Sequence, residues 1–173
     1  MKKCMATLFI LALAAAGASA QFRIEVGIDA PLYLGITTLD NPTGGDTIQI
    51  PNFLPFPSAQ LAYEADLGFL RTYFGVKAYT FIVESIAWPY FGLETDLGPL
   101  TLSGSVGGFA FAIFGLYNTF QTGMFFVTDV AVHYRLGQHL RLGVGAMGLM
   151  GQSAFSVATP YAVYASAKLT FPL

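Results

Sequence analysis

The stretch Phe22-Arg23-Ile24-Glu25-Val26-Gly27-Ile28-Asp29-Ala30-Pro31-Leu32-Tyr33-Leu34 decides the fold. Its even positions, Phe22 to Leu34, are apolar, while the odd positions carry Arg23, Glu25, Asp29 and Tyr33. Side chains on a β-strand alternate between its two faces, so a period of two gives one dry face and one wet face. A soluble sheet shows the same pattern when its dry face is turned to a core. The scarcity of charge decides between the two. The 173-residue chain is 54% hydrophobic and 10% charged, against about 25% charged in soluble domains. A surface so short of charge suits lipid, and the expected architecture is a barrel with apolar side chains outside and charges within.

The first 20 residues read as a secretory signal that is removed, leaving 21–173 as one barrel domain. Lys2 and Lys3 form a positive start, Leu8–Ala16 is a short apolar run, and Ala18-Ser19-Ala20 is a small-x-small cleavage site. The one cysteine, Cys4, lies within that signal, so disulfides and thiolate metal sites are not expected in the processed chain. Beyond it stand 6 basic and 10 acidic side chains, net −4, without a basic patch, so nucleic acid is not an expected partner. Gly, Thr, Ser or a charge interrupts every later apolar run. A chain of this kind has one way to cross a bilayer, a closed β-barrel.

Eight strands are expected at roughly 22–35, 59–70, 73–85, 88–97, 100–114, 124–136, 140–150 and 160–171. Arg71-Thr72, Gly98-Pro99 and Gly137-Gln138-His139 read as tight turns. Between them fall the links Ile36–Ser58, an Ile86-Ala87 corner, Gly115–Gly123 and Gly151–Thr159. Short turns at one end and longer loops at the other fit an all-β, eight-stranded, antiparallel up-and-down transmembrane β-barrel. The charges agree in register: Arg23, Glu25 and Asp29 share a face, as do Glu64 with Asp66, Glu94 with Asp96, and Asp129 with His133 and Arg135. Lys77 against Glu84, placed on one strand, is the single conflict. The alternative is a soluble, secreted, lipocalin-like binding protein, for which the charge content is too low.

Tyr161, Val163, Ala165, Ala167, Leu169 and Phe171 form an apolar face ending in an aromatic, followed by Pro172-Leu173. This resembles the C-terminal signal of bacterial outer-membrane proteins, which ends on the aromatic itself. The layout of the processed chain resembles the small eight-stranded barrels of OmpX, OmpA and OmpW type. The resemblance implies a bacterial cell outer-membrane location and contact with membrane lipids. It lies in layout, so no family residues are carried over.

In this register the lumen receives an ion network of Arg23, Glu25, Asp29, Glu64, Asp66, Lys77, Glu94, Asp96, Asp129, Arg135, Arg141 and Lys168. Most fall in the half near the short turns, and unpaired charges in a narrow lumen are costly, so they are expected to pair and plug the base. A porin-like narrow pore is the alternative. The other half presents Tyr33, Tyr79, Phe81, Val83, Phe109, Phe111, Met147 and Leu149, which either pack together or wall a cavity for a small hydrophobic ligand, as the OmpW resemblance implies. Glycines at 104, 107, 108, 143, 145 and 148 let two strands bend or admit bulky neighbours.

The loop 37–57 joins a polar turn segment, Asp40–Asp46, to the apolar Asn52–Pro57, and is the candidate contact for an extracellular partner. Trp88, Tyr90 and Phe91 are expected in an interfacial aromatic girdle. His133 and His139 are the only histidines, with no identifiable serine partner and poor metal-ligand spacing. The expectation is a monomeric, non-enzymatic barrel without cofactor or metal, structural or surface-binding in role, or else a binder or passive transporter of small hydrophobic molecules.

Overall fold

A computed structural model of the chain describes residues 20–37, 47–48, 55–81, 83–116, 118–151 and 159–173. The signal reading of 1–20 lies outside these residues save for Ala20, as do 38–46 and 49–54 of the loop 37–57. The elements are β1 (Gln21–Thr37), β2 (Thr47–Ile48), β3 (Phe56–Asp66), β4 (Arg71–Phe81), β5 (Glu84–Leu97), β6 (Leu100–Gly115), β7 (Thr119–Leu136), β8 (Leu140–Gly151) and β9 (Thr159–Pro172). Each long strand pairs antiparallel with the next, and β9 returns to β1 with Ile24 opposite Phe171 and Glu25 opposite Thr170. The result is a closed, all-antiparallel barrel of eight long strands, without helix among the described residues. The two-residue β2 pairs only with Leu34 and Gly35 of β1.

Closure turns the alternation into an inside and an outside. Phe22, Val26, Ile28, Leu61, Phe74, Val76, Val130, Val132 and Val144 are all exposed on the outer face. The buried interior instead holds Arg23, Glu25, Asp29, Glu64, Lys77, Glu94, Asp129, Arg141 and Lys168. This inverts the soluble rule, in which such charges almost never go fully inside. Every Lys and Arg beyond residue 20 bonds within the lumen or at its short-turn rim.

Several local expectations are corrected. The first tight turn lies at Leu67–Leu70, not at Arg71-Thr72: Leu67 N donates to Leu70 O at 2.9 Å and Gly68 adopts φ 89°. Arg71 therefore belongs to β4. The next link is at 82–83 rather than Ile86-Ala87, and both of those residues pair inside β5. Glu84 opens β5 and so no longer shares a strand with Lys77, which removes the one conflict of register. β7 starts at Thr119, leaving only 116–118 between it and β6.

Two register shifts interrupt the alternation of faces. Between Pro31 and Tyr33 the β1–β9 pairing skips Leu32, so Tyr33 sits opposite Val163 and its ring lies 5.7 Å from outward Tyr161. The second lies between Gly108 and Ala110, where Phe109 has φ 64° and meets Phe126 edge-on at 4.6 Å. A positive φ in a bulky residue is strained and belongs to a bulge, which explains why counting by twos fails there.

Inward glycines make room for inward aromatic rings. A Cβ on Gly92 would stand 2.1 Å from the Tyr73 ring, and one on Gly145 2.4 Å from that of Tyr164. The Tyr73 ring also lies under Arg23, whose Cζ is 4.8 Å from its centroid. Gly92→Ala should therefore displace Tyr73 and cost about 1–3 kcal/mol, the range for overpacking. A urea titration of the folded barrel, read as a lowered midpoint, checks this; an unchanged midpoint would mean the ring moves without consequence.

Candidate functional site

The lumen is layered. At the short-turn rim, Arg135 Nη1 donates to Asp96 Oδ2 at 2.7 Å, and Thr101 Oγ1 to Asp96 Oδ1 at 2.7 Å. Arg71, which the sequence reading missed by placing it in a turn, lies 2.8 Å from Asp96 and 2.5 Å from Glu94, by charge contact rather than aligned hydrogen bonds. Asp66 is exposed and caps its turn by accepting from Gly68 N at 2.7 Å.

Glu94 is the centre of the next layer. Its Oε1 accepts from Arg141 at 2.9 Å and its Oε2 from Arg23 at 3.2 Å, while Arg23 also reaches Glu64 at 2.6 Å. Glu25 follows, held by Gln60 at 2.6 Å, Thr170 at 3.1 Å and Lys168 at 3.3 Å. Above it Lys77 donates to Asp129 Oδ2 at 2.8 Å, and Tyr164 OH to Asp129 Oδ1 at 2.5 Å. The space left within this network is about 20 Å³, enough for roughly one water. Such a network ties the strands to one another across the base.

His133 Nε2 lies 2.9 Å from Ser166 Oγ, a serine the sequence gives no sign of because it arrives from β9. Both are buried, and His133 borders the 20 Å³ void. His139 packs in its turn, with Nδ1 2.9 Å from Thr170 O and its ring stacked on Phe171. Among the described residues no cluster of three His, Cys, Asp or Glu side chains could hold a metal.

Above the Lys77 layer the lumen opens into an apolar cavity of about 400 Å³. Tyr79, Phe81, Phe111, Met147 and Leu149 line it, as does Phe56 from the far end of the loop 37–57. Three residues expected there do not: Tyr33 and Phe109 are turned outward by the bulges, and Val83 lies exposed in the 82–83 link. Trp88 takes their place. It was expected in the girdle, yet it is 6% exposed and stacks on Tyr79 with centroids 5.6 Å apart and Phe111 at 6.0 Å. Tyr90 is likewise buried inside, with its ring 5.6 Å from Tyr73. Their even numbers set them opposite to Phe91, so parity alone could have found both. The outer aromatics instead run as an arc of directly paired residues, Phe22, Tyr63, Phe74 and Phe91.

A closed eight-stranded antiparallel barrel, charged within and apolar without, has the fold of the small bacterial outer-membrane barrels. In particular it is similar to the crystal structure of Neisserial surface protein A, at 11% identity and a TM-score of 0.50 over 88% of this chain and 99% of that one. The N-terminal β-barrel domain of Pseudomonas aeruginosa OprF also matches, at 10% identity and TM-score 0.43 over 85% and 97% of the two chains. So does Ail, the attachment invasion locus protein of Yersinia pestis, at 7% identity and TM-score 0.43 over 88% and 99%. No family model matches the chain, nor does any curated protein sequence.

Proposed function

We propose that the chain is a small monomeric outer-membrane β-barrel, exported by its first 20 residues, that binds a small hydrophobic molecule in its upper lumen without catalysing a reaction. The observation that carries this reading is the 400 Å³ apolar cavity standing over a charged base with space for about one water. Cavities of about 300–1,000 Å³ with apolar, aromatic walls are the usual form of small-molecule sites. A fully self-packed barrel would have no such space, and a through-pore would not have a plugged base. The membrane seat is supported by the apolar outer face and by the aromatic arc Phe22, Tyr63, Phe74, Phe91, which suits one interface of the bilayer.

Trp88 is the only tryptophan and lines the cavity, so its fluorescence reports occupancy directly. With the barrel in lipid nanodiscs, 6-bromohexanol should quench Trp88 saturably. Lipids brominated along their acyl chains should quench it weakly, because the barrel wall separates them from the indole. Quenching by the brominated lipids alone, or a purely linear response to the alcohol, would overturn the reading.

A further inference from the structure

We propose that the upper cavity takes a single-chain amphiphile head-down, with a cationic hydrogen-bond donor such as a primary ammonium against Asp29. The inference rests on the cavity being a binding site and adds the chemistry of what it holds. Asp29 lies at the cavity floor and is 3% exposed. Its Oδ2 accepts from Tyr79 OH at 2.5 Å, whereas its Oδ1 is buried and has no hydrogen-bond partner. Among the described residues no Lys or Arg forms a salt bridge with it: Lys77, the cation of that layer, is held by Asp129 at 2.8 Å. Glu25, Glu64, Glu94 and Asp129 each have a cation within bonding distance. Among the described residues, Asp29 is the one buried carboxylate that does not.

A buried carboxylate oxygen left unpaired is destabilising, and a bound donor cation would supply the missing hydrogen bond and a counter-charge in direct contact, where Lys77 acts only from its place on Asp129. An anionic head, such as that of a fatty acid, would set a second negative charge beside the first. The apolar walls above leave about 400 Å³ for the tail. At about 30 Å³ per water-sized atom that is roughly a dozen heavy atoms.

The test measures saturable quenching of Trp88 by three probes of one chain length: 6-bromohexylammonium, 6-bromohexanol and 6-bromohexanoate. The ammonium should bind at least about tenfold more tightly than the alcohol, the difference a charge-assisted hydrogen bond makes, and the carboxylate most weakly. Asp29→Asn should remove the ammonium's advantage over the alcohol, bringing the two within about twofold of each other. The wild-type ranking tests the proposal by itself should the variant fail to fold. Equal binding of all three probes would overturn the head-group assignment and leave the cavity reading standing. Saturable quenching by none would overturn both.

Discussion

Glu94→Ala is expected to be the most damaging single substitution in the lumen. Glu94 is 2% exposed and lies against three guanidinium groups, those of Arg23, Arg71 and Arg141. Its removal leaves Arg23 with Glu64 and Glu25, and Arg71 with Asp96, but takes from Arg141 its salt-bridge partner. Stranding a buried charge in this way costs about 3–5 kcal/mol. Glu64→Ala is the control, because Arg23 then keeps Glu94 at 3.2 Å. Urea midpoints, read from the shift in gel mobility between folded and heated barrel, should fall much further for Glu94→Ala. Equal losses would show that the cluster redistributes its charge and has no centre.

The second large effect is expected one layer up, and is a coupling rather than a loss. Lys77→Met leaves the carboxylates of Asp29 and Asp129 with tyrosine hydroxyls as their donors, and should cost about 3–5 kcal/mol. Asp129→Asn alone leaves Lys77 buried without its 2.8 Å partner and should also destabilise. The double variant retains neither stranded ammonium nor its carboxylate, and should recover to within about 1–2 kcal/mol of the parent. A double-mutant cycle on the same urea midpoints gives the coupling. Simple additivity would mean that Lys77 and Asp129 are each solvated independently, against the packing of that layer.

How much of this was legible depends on what each feature requires. The faces of Arg23, Glu25, Asp29, Glu64, Glu94 and Asp129 follow from parity within a strand, which a sequence displays directly. Partners do not. Arg23 meets Glu94 across 71 residues, and that neighbour depends on barrel closure and stagger rather than on any local pattern. Parity also fails at a bulge, which is why Tyr33 and Phe109, lumenal by counting, lie outside the lumen. Gly107-Gly108 was the one local hint of the second bulge. Arg71 is hidden by its turn: Leu67-Gly68-Phe69-Leu70 is apolar apart from its glycine and lacks the polar residues that usually announce a turn. The unpartnered oxygen of Asp29 could not be read at all, since it depends on where every other donor went.

Glu25 receives Gln60 from β3 on one side of β1, and Lys168 and Thr170 from β9 on the other. The second pair comes from the far end of the chain, with Thr170 145 residues away in sequence. Contacts at such separation form only after the intervening hairpins, and their loop entropy slows them. Sealing the seam and pairing Glu25 with Lys168 are therefore one event. A chain stalled short of it would still display Lys168 and Glu25 to water, an open sheet unfit for lipid. Closure thus does two things at once: it pairs the last strand edges and brings a lumen carboxylate of the first strand its ammonium from the last.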